Sequence, residues 1–161
     1  NQVSLINWVV GGMEPSVPPI HLSEEIAARV EEKITYTIRG IEIMLREILE
    51  RGEADFGEVK SLLENLKPSF ALLSQKWVLE ILYALLFKGP LGFNDLKKLT
   101  GASSRSLSSK LKALVELGYV ERIIHEGPPL RTTYRLTEQG KNAALLSMPL
   151  LYYIAKITRK E

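Results

Sequence analysis

Cysteine is absent from the 161 residues, which excludes disulfides, thiolate nucleophiles, Cys-ligated zinc and thiol-based redox sensing. It also makes a reducing cytoplasm the expected setting. Histidine is nearly absent: His21 and His125 are the only two, too few for a His-rich metal site and thin material for a Ser-His-Asp triad. Residues 3–10 (VSLINWVV) are apolar, but they are too short to span a membrane and lack the basic flank of a signal peptide. They read as a strand or arm packed on the protein. The first residue is asparagine, so residues are expected to be missing before it, with Met13 as another possible start. There is no phosphate-binding loop, no HExxH and no GxSxG, and the Gly89/Gly92 pair is too sparse for a nucleotide site. An enzyme is therefore the poorest-supported function class, and no cofactor, metal or membrane partner is expected.

Hydrophobic residues make up 45% and charged residues 25% of the chain, ordinary values for a soluble protein with a real core. The formal charge of +2 conceals a division. Residues 1–74 carry 7 Lys/Arg against 12 Asp/Glu, a net of −5, whereas residues 75–141 carry 11 against 6, a net of +5. A basic block beside an acidic one suggests that one part meets a polyanion while the other faces protein or water.

Residues 11–20 are rich in Gly and Pro and read as a linker. Ser23 is placed to cap a helix whose apolar residues, Ile26, Val30, Ile34, Ile38, Ile41, Leu45 and Ile48, keep the 3–4 spacing of one face as far as Gly52. A second helix is expected over 56–66, stopped by Pro68. Trp77, Ile81, Leu82 and Leu85 give a helix closed at Gly89-Pro90. Asn94 is the expected cap of a short helix ending at Gly101, and Ser103 or Ser104 opens the next, which runs to Leu117. The period then turns extended: 119–124 (YVERII) and 131–136 (RTTYRL) form a hairpin around a Gly/Pro tip. Thr137 caps a C-terminal helix that Pro149 is expected to interrupt, with Ser147 as cap of the restart.

Helix, short helix, turn, helix and hairpin within about 60 residues is the order of a winged helix-turn-helix. The fold class expected is mainly α with a small β-hairpin, a winged helix-turn-helix with N- and C-terminal helical extensions. In its third helix Leu107, Leu111 and Leu114 form one apolar stripe. The opposite face consists of Arg105, Ser109 and Lys112, flanked by Ser106 and Ser108, with no acid before Glu116. Ordinary solvated faces favour Glu, Lys and Ala over Ser. Small hydroxyls let a helix lie close to a groove floor, and the cations attract phosphate or, for Arg, read guanine. Ser103, Ser104, Arg105, Ser106, Ser109 and Lys112 are the candidate DNA contacts, joined by Arg131 at the start of the second wing strand.

Residues 75–140 resemble the HxlR-type winged-helix transcriptional regulators, relatives of the MarR group. The matching stretches are Lys76-Trp77 with Ile81, Leu82 and Leu85; Gly89-Pro90-Leu91 with Phe93-Asn94-Asp95-Leu96; Leu107-Ser108 with Leu111; Leu114 through Arg122; and Tyr134 with Leu136-Thr137-Glu138-Gln139-Gly140. The resemblance implies a homodimer on operator DNA, with the helix at 103–117 in the major groove and the wing at 124–131 on the backbone or minor groove. Two departures stand out. Gly92 occupies a position where the family commonly has a basic residue, and the N-terminal cysteine through which many members sense thiol stress is missing.

Other residues fit plainer roles. Lys97 and Lys98 read equally as solvated charge; Arg122 is expected to pair with Glu121 or Glu126, His125 to be a solvated loop residue, and Trp77 to be core. The Tyr152-Tyr153 pair fits interface packing better than a ligand pocket. The expected organisation is an arm and linker at 1–22, an acidic helical extension at 23–74, the winged helix at 75–140 and a C-terminal helix at 141–161. The two flanking segments are the expected dimer surfaces, through Ile34, Ile41 and Ile48 on one and Leu151 and Ile154 on the other. The function expected is sequence-specific binding of double-stranded DNA by a cytoplasmic regulator with an unknown effector. The alternative is a winged-helix module for protein–protein contact without DNA readout.

Overall fold

A computed structural model describes residues 22–158. The expected arm at 3–10, the linker at 11–20, Met13 and His21 lie outside the described residues. The chain divides into two compact units after Arg51.

The first unit contributes helix α1, Glu24–Arg51. Ser23 caps it as the sequence implies: its Oγ accepts from the Ile26 amide at 3.4 Å and its carbonyl from Ala27 at 2.9 Å. Glu24 and Glu25 sit in the first turn and Arg51 in the last, each where the helix dipole favours its charge. Gly52, at φ +63°, takes the left-handed turn that ends it. No residue of α1 is buried.

The second unit begins with α2, Phe56–Leu73, opened by a capping box in which Asp55 accepts from the Glu58 amide and Glu58 accepts from the Asp55 amide. Contrary to the sequence expectation, α2 runs through Pro68. Proline forfeits its own amide bond, here the one to the carbonyl of Glu64, and its ring crowds that carbonyl, but both residues are exposed, so the carbonyl is open to water. Continuing the helix carries Leu72 into the core. Next come α3, Val78–Lys88; β1, Leu91–Gly92; α4, Phe93–Thr100; α5, Ser104–Glu116; β2, Val120–His125; β3, Arg131–Leu136; and α6, Glu138–Thr158.

Two further expectations are corrected. Asn94 does not cap α4; Gly92 holds the cap position, because Leu91 and Gly92 pair with β3 and the chain turns into the helix two residues earlier. Pro149 does not break α6, and Ser147 caps nothing. Its hydroxyl donates to the Ala144 carbonyl at 2.7 Å and meets the Tyr83 hydroxyl at 2.5 Å, tying α6 to α3. Thr137 does cap α6, accepting from the Gly140 amide at 3.0 Å.

The sheet has the order β1-β3-β2, all antiparallel. The hairpin stands as expected; the two-residue strand β1 carries no periodic signal of its own and was not. The core forms around α3, whose Val78, Ile81, Leu82 and Leu85 are buried at the 0, 3, 4, 7 spacing of a helical face. Leu96, Leu107, Leu111, Leu114, Val120 and Ala144 close on it from α4, α5, the sheet and α6. Among the described residues no polar or charged side chain is buried, so burial of apolar surface organises this unit. At Gly140 the start of α6 runs close against the chain just before β2: a Cβ there would lie 1.9 Å from the Tyr119 carbonyl oxygen.

Candidate nucleic-acid interface

The orientation of α5 follows from its sequence. Leu107, Leu111 and Leu114 are buried, and turning them inward turns Arg105, Ser109 and Lys112 outward. Ser104 and Ser108 are also exposed, and Ser106 is half-buried on the flank. Ser103 lies one residue before the helix as its N-cap, its Oγ accepting from the Ser106 amide at 3.2 Å. That bond engages one lone pair and leaves its hydroxyl proton to donate outward. The first turn of α5 contains no acid. Lys112 stands 4.0 Å from Glu116, one turn on, with both side chains open to solvent. Such a pair contributes about 0.2–1 kcal/mol at most, little enough for a phosphate to displace the carboxylate.

The wing is fixed by register. His125 faces Arg131, and the tip between them, residues 126–130, holds Gly127 and a cis Pro128–Pro129 bond. Arg131 is exposed at the first position of β3. His125 does not hang free: its ring Nε2 lies 2.8 Å from the Thr133 hydroxyl. The expected pairing of Arg122 is corrected. Glu121 lies directly across from Arg135, and its carboxylate hydrogen-bonds that guanidinium. This bond, and secondarily the carboxylate charge, raises the Arg135 pKa above its ordinary value. Arg122 points to the other side of the strand and is exposed.

Lys97 and Lys98 fall in the last turn of α4, where a cation offsets the helix dipole, which supports the solvated reading. Sequence reasoning passed over Lys110. It lies on the flank of α5 one turn after Ser106, and its Nζ donates to Gln75 Oε1 at 2.5 Å, linking α5 to the turn before α3. The helical wheel shows the flank position, but only the folded chain shows the partner. Trp77 is half-buried against the core, with the Lys76 ammonium 4.6 Å above its ring and a left-handed backbone at φ +75°. Among the expected dimer positions, Ile34 and Ile48 are half-buried, while Ile41, Leu151 and Ile154 are exposed. Tyr152 is half-buried and Tyr153 exposed. No single helix among the described residues is long and apolar enough to cross a membrane.

The candidate interface is thus a helix face of hydroxyls and cations and a β-hairpin with an exposed arginine, a surface suited to phosphate oxygens and base edges. Comparison with known proteins places it in context. The family model described as HxlR-like helix-turn-helix matches residues 72–159. An uncharacterized HTH-type transcriptional regulator of Mycobacterium tuberculosis (strain CDC 1551 / Oshkosh) is 37% identical over 79 residues, 49% of this chain and 49% of that protein. Another, YvaP of Bacillus subtilis (strain 168), is 37% identical over 86 residues, 53% of this chain and 75% of its own. The chain therefore spans about half the length of the mycobacterial relative. Among solved structures, the reduced form of the transcriptional regulator YodB from B. subtilis superposes with a TM-score of 0.55 at 23% identity, covering 60% of this chain and 95% of that one. A MarR-family regulator from Enterococcus faecalis V583 gives 0.51 at 22% identity, covering 66% and 91%. At those identities the likeness is one of fold.

Proposed function

The chain belongs to the HxlR-like helix-turn-helix family, and on that premise we propose that it is a transcriptional regulator binding double-stranded DNA as a homodimer. The observation that carries the reading is the acid-free outer face of α5, where Arg105, Ser109 and Lys112 stand exposed opposite a fully buried leucine stripe. In this reading α5 enters the major groove, with Ser103, Ser104 and Ser106 near phosphate or base edges, and Arg131 brings the wing to the backbone or minor groove. Two copies pair through the exposed apolar faces of α1 and α6, since a monomer exposing both would carry a hydrophobic surface that soluble proteins seldom tolerate. The two copies of α5 then meet successive major grooves about 34 Å apart, and the operator is a rough palindrome. The protein acts in the cytoplasm by binding, and no residue is assigned a catalytic role.

Selection from random duplexes by gel shift, repeated at two salt concentrations, tests the reading. Binding should fall steeply with salt as counterions are released. Arg105→Ala should cost about 1–3 kcal/mol on the selected site and relax its sequence preference, whereas Lys112→Ala should weaken all duplexes alike. Parental binding by both variants would show that this face does not touch DNA.

The wing is tested separately. Arg131→Glu should weaken binding roughly tenfold by placing an anion against phosphate while leaving the circular dichroism spectrum unchanged, because the residue is exposed at a strand end. Unaltered affinity in the folded variant would remove the wing from the interface.

A further inference from the structure

We propose that α1 pairs with α1 of a second copy in an antiparallel two-helix coil, its two-fold axis passing beside Gly40. The inference rests on the homodimer reading above and assigns its N-terminal part a register. Along α1, Ala27, Val30, Ile34, Thr37, Ile41, Met44, Ile48 and Arg51 fall at alternating steps of three and four residues, the a and d positions of a heptad, and all but Thr37 and Arg51 are apolar. No residue of this seam is buried, and Ile41 and Met44 are more than half exposed, at 53% and 54%.

The occupant follows from matching the seam to itself. With the second copy turned end for end, Ile41 lies opposite Thr37, Ile34 opposite Met44, Val30 opposite Ile48 and Ala27 opposite Arg51, so every a position meets a d position. In a parallel pair the same seam would set hydroxyl against hydroxyl at Thr37 and guanidinium against guanidinium at Arg51. The flanks agree. Lys33 comes beside Glu47 of the second copy, joining the ion pair that Glu47 makes with Arg51 of its own helix, and the symmetry makes that contact twice. The acidic first turn, Glu24 and Glu25, approaches the end carrying Arg51 of the other helix, and the two helix dipoles are opposed, each positive end beside a negative one. Near the centre, where the axis passes level with Arg39, Gly40 lies only about 3 Å along the axis from its own twin. A Cβ on Gly40 meets nothing within 4 Å in the single chain, so the space left by its missing side chain is open to the other helix. A glycine in a helix interior otherwise costs about 1 kcal/mol against alanine.

The cysteine-free sequence makes the register directly readable by single-cysteine variants of the full chain. On mild oxidation Gly40→Cys should cross-link to its twin, and Ile34→Cys combined with Met44→Cys should cross-link between copies. Ile34→Cys alone and Ile48→Cys alone should not, because their twins lie about 15 and 27 Å away along the axis, beyond the reach of a disulfide. In sedimentation, Lys33→Glu should weaken the dimer about tenfold, and adding Glu47→Lys should restore it. Self-cross-linking of Ile34→Cys or Ile48→Cys as fast as Gly40→Cys would overturn the antiparallel register. A dimer that binds DNA but cross-links at none of these positions would overturn the α1 pairing and leave the DNA reading standing. A monomeric parent would overturn the homodimer with it.

Discussion

Gly140→Ala is expected to be the most damaging small substitution in the winged-helix unit. The added methyl would sit 1.9 Å from the Tyr119 carbonyl oxygen and 2.8 Å from its carbon. Those are backbone atoms, held by the Tyr119 amide donating to the Leu114 carbonyl and by the Thr137 amide donating to the Tyr119 carbonyl itself. No flexible side chain can yield, so the first turn of α6 has to lift away from the base of β2. Overpacking of this kind costs about 3 kcal/mol, and in a domain of this size that lowers the melting temperature by roughly 10–20 °C. Thermal unfolding followed by circular dichroism checks it. Gly92→Ala is the control: its Cβ would find ordinary contacts at 3.8 Å from Asp95 and the Thr132 carbonyl, and it should unfold close to the parent. A Gly140→Ala protein as stable as the parent would mean that α6 packs less closely than described.

The second large effect is expected from Leu151→Asp combined with Ile154→Asp. Both side chains are exposed on α6, at 38% and 47%, so the pair of carboxylates should leave the monomer folded. If α6 helps to hold two copies together, the same carboxylates would be buried without partners at the interface, which is strongly unfavourable. Sedimentation should then show monomers at micromolar concentration. Operator affinity should fall by about 100-fold or more as the advantage of binding two linked half-sites is lost. A variant that stays dimeric and binds like the parent would take α6 out of the dimer. A monomeric parent that grips a single half-site tightly would defeat the two-fold arrangement.

The parts of the fold that were legible in the sequence are those where one local rule acts without opposition. Leu107, Leu111 and Leu114 repeat at the helical period and are buried; Ser23, Ser103 and Thr137 are capping residues and do cap; Gly52, Gly89, Gly101 and Gly118 take positive φ where helices end. The misreadings came where a local preference met a longer-range gain. Pro68 and Pro149 each remove one helical bond, yet the residues beyond Pro68 carry Leu72 to the core, and the turn before Pro149 holds Ser147 against Tyr83. Asn94 is a better capping residue than Gly92 in isolation, but the pairing of Leu91 with Tyr134 and of Gly92 with Thr133 starts the helix sooner. The outer face of α5 was readable because a helical wheel needs no tertiary knowledge. The link from Lys110 to Gln75 and the competition of Arg135 for Glu121 were not, since each joins residues that only the folded chain brings together.

Thr137 stands alone between β3, which ends at Leu136, and α6, which begins at Glu138. Its amide donates to the Tyr119 carbonyl at 3.1 Å, its hydroxyl donates to the Gly118 carbonyl at 2.5 Å, and it accepts from the Gly140 amide. A junction one residue long and bonded in three directions has no slack. The hairpin and the C-terminal helix are therefore pinned to one another at Thr137, and displacing either one strains the same three bonds.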